Sequence, residues 1–273
     1  MEAHKATDVV LAKLERRLRI AYSQKFVGIK KQLAELLGEI NGEGLTPLER
    51  YTLAMKYKRL EKLQEKLTDT LQEVTLDCVK EVNKSLVDVY KLNYDASVGI
   101  ANALIGGVVI LQPKGVSAEI KETQSPLNKI ALENVKGKTE LSREIGRQIT
   151  QGVMQGEDIN KLVQRIQKVT EAKLSDITRI ARTQTTRVEN LAMQDVVNRW
   201  EVPKGYEKTK TWRAVLDGHE REAHRAVDGQ TIPFDEAFIV DGEELMYPAD
   251  PNGSAGNIIN CRCHIEIGKR KII

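Results

Sequence analysis

Two of the three cysteines and two of the four histidines lie between Asp217 and Cys263. Thiolates and imidazoles are the side chains that hold zinc or attack as nucleophiles. They sit within a polar set of fixed order: Trp212, Asp217, Arg221, His224, Asp228-Gly229, Tyr247-Pro248, Asp250-Pro251 and Asn260-Cys261-Arg262-Cys263. Several chemistries are open to this set. His224, Cys261 and Cys263 are a candidate zinc set, with Asp217, His219 or Asp228 as fourth ligand, although C-x-C is less usual than C-x-x-C. The two thiols could instead form a redox-active or disulfide pair, or be small buried hydrophobes. A thiol nucleophile activated by His224 would need an accessible sulfur.

Reading residues 260–267 as a strand decides which way the thiols point. Alternate side chains share a face, so Cys261, Cys263, Ile265 and Ile267 face one way and Asn260, Arg262, His264 and Glu266 the other. The isoleucines mark the first face as core, so both thiols point inward and His264 turns away from them. Arg262 then faces a polar site or an acidic loop. Asp217 is placed to N-cap a short helix, with Glu220 three residues later and Asp228-Gly229 as its stop. Asp217–Arg221 and Glu220–His224 are spaced to pair on one helix face, each worth only about 0.3–0.5 kcal/mol if exposed. Tyr247-Pro248 and Asp250-Pro251 are rigid loop punctuation. The chain carries no Gly-rich phosphate loop, no H-E-x-x-H and no nucleophile elbow, so no catalytic residue is assigned.

The elements that must position this set are mostly helical. Leu11, Leu14, Leu18, Tyr22, Ile29, Leu33, Leu36 and Ile40 follow helical spacing, and Asn41-Gly42-Glu43-Gly44 breaks the run. Thr46-Pro47-Leu48-Glu49 is a capping box with proline at the first helical position. From there Leu60, Leu63, Leu67, Leu71, Val74, Val79, Val82, Leu86 and Val89 predict one helix, uninterrupted before Gly99. The two form an antiparallel hairpin that cannot cover both of its own apolar stripes. Residues 106–113 predict a break and then a short strand or loop. Ser125-Pro126 begins a helix that Gly137 ends. A helical block covers 139–200: a turn at Met154-Gln155-Gly156-Glu157-Asp158, a second helix faced by Ile159, Leu162, Val163 and Ile166, and a third carrying Ile177, Ile180, Ala181, Val188, Leu191 and Ala192. Pro203-Lys204-Gly205 stops it. Residues 210–216 then alternate as a strand, and a Gly-, Pro- and Asp-rich loop leads to the final strand. The fold class is α+β: a long N-terminal helical hairpin, a central helical block and a small C-terminal α+β domain with short strands.

Composition is that of an ordered, helix-rich chain of 273 residues, 41% hydrophobic and 30% charged, with aromatics at 4%. The net charge of +3 is unevenly spread. Residues 201–267 hold 7 Lys/Arg against 13 Asp/Glu, a net of −6, while Lys269-Arg270-Lys271 adds +3 and residues 1–200 carry +6. That basic excess is compatible with touching DNA without being a dense basic face. Three cysteines make no disulfide framework, the charged first twenty residues resemble no signal peptide, and residues 99–111 are too short and glycine-broken to span a bilayer. A cytoplasm is the expected site of folding, with no membrane partner.

The ordered set from Trp212 to Cys263 resembles the C-terminal signature of the phage Mu F-like minor head (head morphogenesis) proteins, and Ile180-Ala181-Arg182-Thr183-Gln184 is similar to the stretch that precedes it. The resemblance covers residues 139–267. Two positions depart from the family pattern: Asp-x-Arg-x-x-His is here Asp217-Gly218-His219-Glu220-Arg221-Glu222-Ala223-His224, and Gln184 stands at the usual acidic position. The resemblance implies a virion protein of a tailed phage, inside the head near the portal, that assists procapsid assembly, DNA packaging or delivery. Its partners would be the portal protein, capsid or scaffold proteins, and double-stranded DNA. Residues 1–114 would be the partner-docking hairpin and 115–273 the head-morphogenesis domain, helical over 125–203 and α+β over 204–273. The family's C-terminal domain has also been likened to ADP-ribosyltransferases, where Arg182 would bind cofactor phosphates, but the sequence offers no convincing catalytic glutamate. The alternatives to an assembly protein are therefore such a transferase, a DNA-binding module, or a metal-dependent domain.

Overall fold

The computed structural model describes residues 2–40, 44–56, 58–107 and 138–272. The predicted break at Asn41-Gly42-Glu43, the strand or loop over 108–113 and the helix begun by Ser125-Pro126 lie outside the described residues.

Helix α1 spans Glu2–Ile40. Leu11, Leu14, Leu18, Tyr22, Ile29 and Leu33 of its predicted stripe are buried; the side chains of Leu36 and Ile40 lie outside the description. Helix α2, Pro47–Lys56, opens on the predicted capping box. The Thr46 N–H donates to Glu49 Oε2 at 2.8 Å, and the Glu49 N–H donates to Thr46 Oγ1 at 3.3 Å. The Thr46 N–H and the Thr46 hydroxyl, which donates to the same Oε2 at 2.7 Å, hold the Glu49 carboxyl below its usual pKa.

The single helix predicted from Thr46 onward is two helices. Lys58 takes a left-handed φ of 51° and separates α2 from α3, Arg59–Ile105. Helix α3 also runs through Gly99 and ends at Gly106, with φ 67°. One glycine weakens a helix by about 1 kcal/mol, too little to stop one anchored along a buried stripe. That stripe, from Leu60 to Val89, is buried at every predicted position.

Helix α4, Lys138–Met154, and helix α5, Ile159–Arg199, flank the predicted turn. Gly156 there has φ 66°. Asp158 caps α5 by accepting the Lys161 N–H at 3.0 Å. Arg165 closes the turn with two bonds to Glu157, at 2.6 and 2.8 Å, and one to Gln155 at 2.7 Å. The two helices expected after this turn are one continuous helix, because nothing between Ile166 and Ile177 carries a stop signal.

The described residues divide into two compact units. The first draws on Met1–Leu14, Val82–Pro126 and Arg179–Ile273, the second on Glu15–Glu81 and Leu127–Thr178. In the second unit α1 and α3 run antiparallel, as the hairpin reading requires. Arg17 pairs with Glu81, Tyr22 Oη bonds Thr75 Oγ1 at 2.9 Å, and Lys25 pairs with Glu73 at 2.8 Å. In the first unit Asn93 on α3 donates to Thr7 on α1 at 2.8 Å, and Tyr90 donates to Asp195 on α5 at 2.9 Å.

The first unit also holds the strands. β1, Tyr206–Arg213, is the centre of an antiparallel sheet between β2, Thr231–Pro233, and β5, His264–Lys271. Trp212 pairs with Ile265 and Lys210 with Ile267. A separate hairpin joins β3, Phe238–Val240, to β4, Glu243–Leu245. Asp241 and Gly242 turn it, both with positive φ, as a two-residue turn between right-twisted strands demands. Short helices α6, Glu222–Ala226, and α7, Ala255–Ile258, complete the unit. The predicted strands are thus shifted: the first ends at Arg213 and the last begins at His264. The predicted bare loop holds β2, β3, β4 and α7. Among the described residues no helix is long and apolar enough to cross a membrane.

Candidate functional site

The site is organised by a polar face of α5. Thr183, Thr186 and Asn190 recur at intervals of three and four, so they share a side of the helix, and all are buried. Each bonds the backbone of the C-terminal loops. Thr186 donates to the Cys261 carbonyl at 2.5 Å, Thr183 accepts the Asn260 N–H at 3.0 Å, and Asn190 donates to the Pro248 carbonyl at 3.3 Å. The Ile265 N–H donates to Asn190 Oδ1 at 3.0 Å, and Arg187 donates to the Ala249 carbonyl at 3.1 Å. Irregular backbone can be buried only if its polar groups find partners. α5 supplies them, and residues 247–250 are all buried as a result.

Inside the loop, Asp250 accepts the Met246 and Asn252 N–H groups at 2.8 and 2.9 Å. Lys210 is fully buried on β1. Its ammonium donates to the Met246 carbonyl at 2.8 Å and lies 5.4 Å from the ring centres of both Phe234 and Phe238. Burial pulls its pKa down to about 8.

Against this frame stand His224 of α6 and the extended segment Cys261-Arg262-Cys263. His224 Nδ1 is 3.6 Å from Cys261 Sγ and 3.4 Å from Cys263 Sγ. All three residues are buried, and their ligand atoms lie within 4.8 Å of one another. Trp212 meets the His224 ring edge-on at 5.5 Å. The cysteines are free thiols. Cys263 bonds to the Cys261 sulfur, which lowers the Cys261 pKa and raises that of Cys263. Arg221 and the backbone N–H groups of Cys263 and Ala249 also favour a thiolate at Cys261. Inward-facing thiols follow the predicted alternation, although residues 261–263 precede the paired strand. Their burial leaves the sulfurs out of reach of a substrate in solution.

The predicted ion pairs are rearranged. Asp217 does not pair with Arg221; it pairs with Arg262 at 2.6 Å, so that arginine faces a polar group, though one the sequence had assigned elsewhere. Arg221 instead donates to the Ile259 carbonyl at 2.5 Å. Glu220 pairs with Arg225, not His224. Asp217 is not the helix cap, because α6 begins later, with Arg221 at the N-cap position and no side-chain bond there. Asp217 Oδ1 accepts the His219 N–H at 3.1 Å, and Glu220 accepts the N–H groups of Asp217 and Gly218, forming a turn before the helix. Asp228 accepts the Ala214 N–H at 2.8 Å, and Gly229 adopts φ 78° beside it. Among the described residues, Asp217, His219 and Asp228 therefore stand outside the metal-capable group. His264 is not on a polar face: it is buried and stacks on His4 of α1 with ring centres 4.0 Å apart.

Sequence reasoning missed Thr186, Arg187, Asn190, Glu189 and Lys210. Thr186 and Asn190, with Thr183, carried a readable signal, polar residues at helical spacing beside an apolar stripe. Lys210 carried none, since lysine in a strand is ordinarily exposed.

Comparison with known proteins agrees with this geography. Residues 143–266, from within α4 to the first residues of β5, match the family described as Phage Mu protein F like protein. The minor head protein GP7 of Bacillus phage SPP1 is 27% identical over 266 residues, covering 96% of this chain and 84% of that protein. The NAD(+)–arginine ADP-ribosyltransferase EFV of Enterococcus faecalis is 30% identical over 136 residues, which is 47% of this chain but 26% of that protein. Among solved structures, a computationally designed three-helix bundle aligns over 71% of this chain and 86% of its own at 16% identity and a TM-score of 0.15, an overlap too slight to carry a likeness of fold.

Proposed function

We infer that this chain, which belongs to the Phage Mu protein F like family through residues 143–266, is a minor head protein of a tailed bacteriophage. The observation that carries the reading is the alignment with GP7, which takes in the N-terminal helices as well as the family domain. A head protein acts by holding partners, so it needs rigid units and exposed surfaces. The loops clasped to α5 by buried bonds suit a rigid unit. Ile20 and Val27, 45% and 71% exposed, lie seven residues apart on one face of α1. They suit docking on the portal protein, or on capsid or scaffold proteins, during procapsid assembly in the host cytoplasm. The protein would then stay inside the head near the portal vertex, where the +6 balance of residues 1–200 assists contact with packaged DNA.

The test is co-expression of the full chain with the portal protein of the same genome. The two should co-purify, and the double substitution Ile20→Glu, Val27→Glu should release the portal without lowering the melting temperature. A chain that is absent from purified virions and binds neither portal, capsid nor scaffold overturns the reading.

The alignment with EFV favours a second reading, an arginine-directed transferase. It reaches only a quarter of that protein, and the carbonyl of Ala249 and neighbouring loop groups occupy the polar face of α5 that follows Arg182. We therefore propose binding without turnover. Incubation with labelled nicotinamide adenine dinucleotide should transfer no label to the chain, the portal or free arginine compounds; transfer abolished by Arg182→Ala would establish the enzyme.

A further inference from the structure

We propose that His224, Cys261 and Cys263 bind a zinc ion that staples α6 to the segment preceding β5. The inference does not depend on a role in the phage head. Its ground is that three soft ligand atoms from two distant parts of the chain converge in a buried place where no substrate reaches them.

The two nitrogen–sulfur distances match zinc. Zinc–sulfur bonds of about 2.3 Å and zinc–nitrogen bonds of about 2.0–2.1 Å at tetrahedral angles put sulfur and nitrogen about 3.6 Å apart. Here His224 Nδ1 stands 3.6 and 3.4 Å from the two sulfurs. Thiolate and imidazole donors select zinc over magnesium or calcium, which take oxygen ligands. The surroundings of Cys261 match as well. N–H groups of Cys263 and Ala249 point at the Cys261 sulfur, and Arg221 lies close by; such outer contacts hold thiolate ligands in place. Ala249 directs its N–H from a left-handed backbone, φ 63°, and its carbonyl is held by Arg187 on α5.

Binding is a proton exchange. Zn²⁺ enters, the two thiols release two protons to solvent, and the His224 Nδ1 lone pair completes three bonds, with the metal's charge balanced by two thiolates. Water takes the fourth corner. Folding of this loop is then linked to metal and to pH.

The full chain, made without an affinity tag and purified without chelator, should hold one zinc per chain by elemental analysis. After removal of zinc, cobalt should give a near-ultraviolet thiolate charge-transfer band and the visible bands of a tetrahedral site. Cys261→Ser, Cys263→Ser and His224→Ala should each lose the stoichiometric metal, and Cys78→Ser, whose sulfur is remote in sequence and outside the group, should keep it. If a ligand variant fails to fold, the cobalt titration of the refolded wild-type chain decides. A metal-free protein that gives no cobalt band, a metal other than zinc, or a mass two hydrogens lighter from a Cys261–Cys263 disulfide overturns the proposal.

Discussion

Asn190 is completely buried, and its amide is fully used. The NH₂ group donates to the Thr186 carbonyl at 2.8 Å and to the Pro248 carbonyl at 3.3 Å, while Oδ1 accepts the Ile265 N–H at 3.0 Å. Replacing it with leucine keeps similar bulk but strands the Ile265 N–H and the Pro248 carbonyl away from water. Each orphan costs about 1–3 kcal/mol, so Asn190→Leu should lower unfolding free energy by about 2–6 kcal/mol in urea titration. The Asp217–Arg262 pair is shorter, and its arginine holds the Asp217 carboxyl below the usual carboxylate range, yet both side chains are more than a third exposed to solvent, where screening cancels most of the attraction. Asp217→Asn should therefore leave the urea midpoint nearly unchanged. The reverse ranking would mean that the surface acid–base contact, and not the α5 clasp, holds the loops. The types of both residues were legible in the sequence. Their partners were not, because a hydrogen bond to a loop carbonyl leaves no trace in the composition of that loop.

At the scale of elements, helices with chemical punctuation were legible. Thr46 and Glu49 announced a cap, and Gly156 with Asp158 announced a turn. Boundaries without punctuation were not. Lys58 is no natural left-handed residue, so its φ of 51° is imposed by its surroundings. Asp241-Gly242 was a readable hairpin signal, hidden by the shortness of the strands it joins. Helix contacts are a further hidden layer. A Cβ at Gly152 on α4 would stand 2.3 Å from Cδ2 of the buried Leu162 on α5, whereas a Cβ at Gly28 on α1 meets nothing within 4 Å. Alanine gains up to about 1 kcal/mol over glycine in a helix interior, but forcing a methyl into a packed contact costs about 1–3 kcal/mol. Gly28→Ala should raise the urea midpoint and Gly152→Ala should lower it. Equal shifts would mean that α4 and α5 are not in tight contact there.

At the scale of the molecule, the first unit is closed by residues that no local pattern connects. His4, near the start of α1, bonds Glu189 on α5 at 3.0 Å across 185 residues and stacks on His264 of β5. Fold class was legible because apolar period and turn residues are local. This closure was not, because a lone histidine at an exposed-looking end of a helix gives no hint of a buried carboxylate. The pair has a definite pH signature. Burial pushes the His4 pKa down, but the Glu189 bond and charge outweigh it, and the net shift is upward from 6.5. Burial raises Glu189 from 4.5, only partly offset by His4, and burial lowers His264 to about 3, so that ring is neutral. Both upward shifts mean that the folded chain binds protons more tightly than the unfolded one, so this contact stabilises most on the acidic side. The His4 contribution is fully present below pH 6.5 and is lost as pH rises through its raised pKa. The double substitution His4→Gln, Glu189→Gln keeps polar groups at both places and removes the titration. The stability difference between wild type and this variant, from urea titrations at about pH 6 and about pH 8.5, should favour wild type more at the lower value. His4→Ala alone leaves Glu189 buried without its cation and should cost about 3–5 kcal/mol near neutral pH. A difference that stays flat across that range would mean that His4 and Glu189 meet as neutral groups and that the N-terminal turn is held by packing alone.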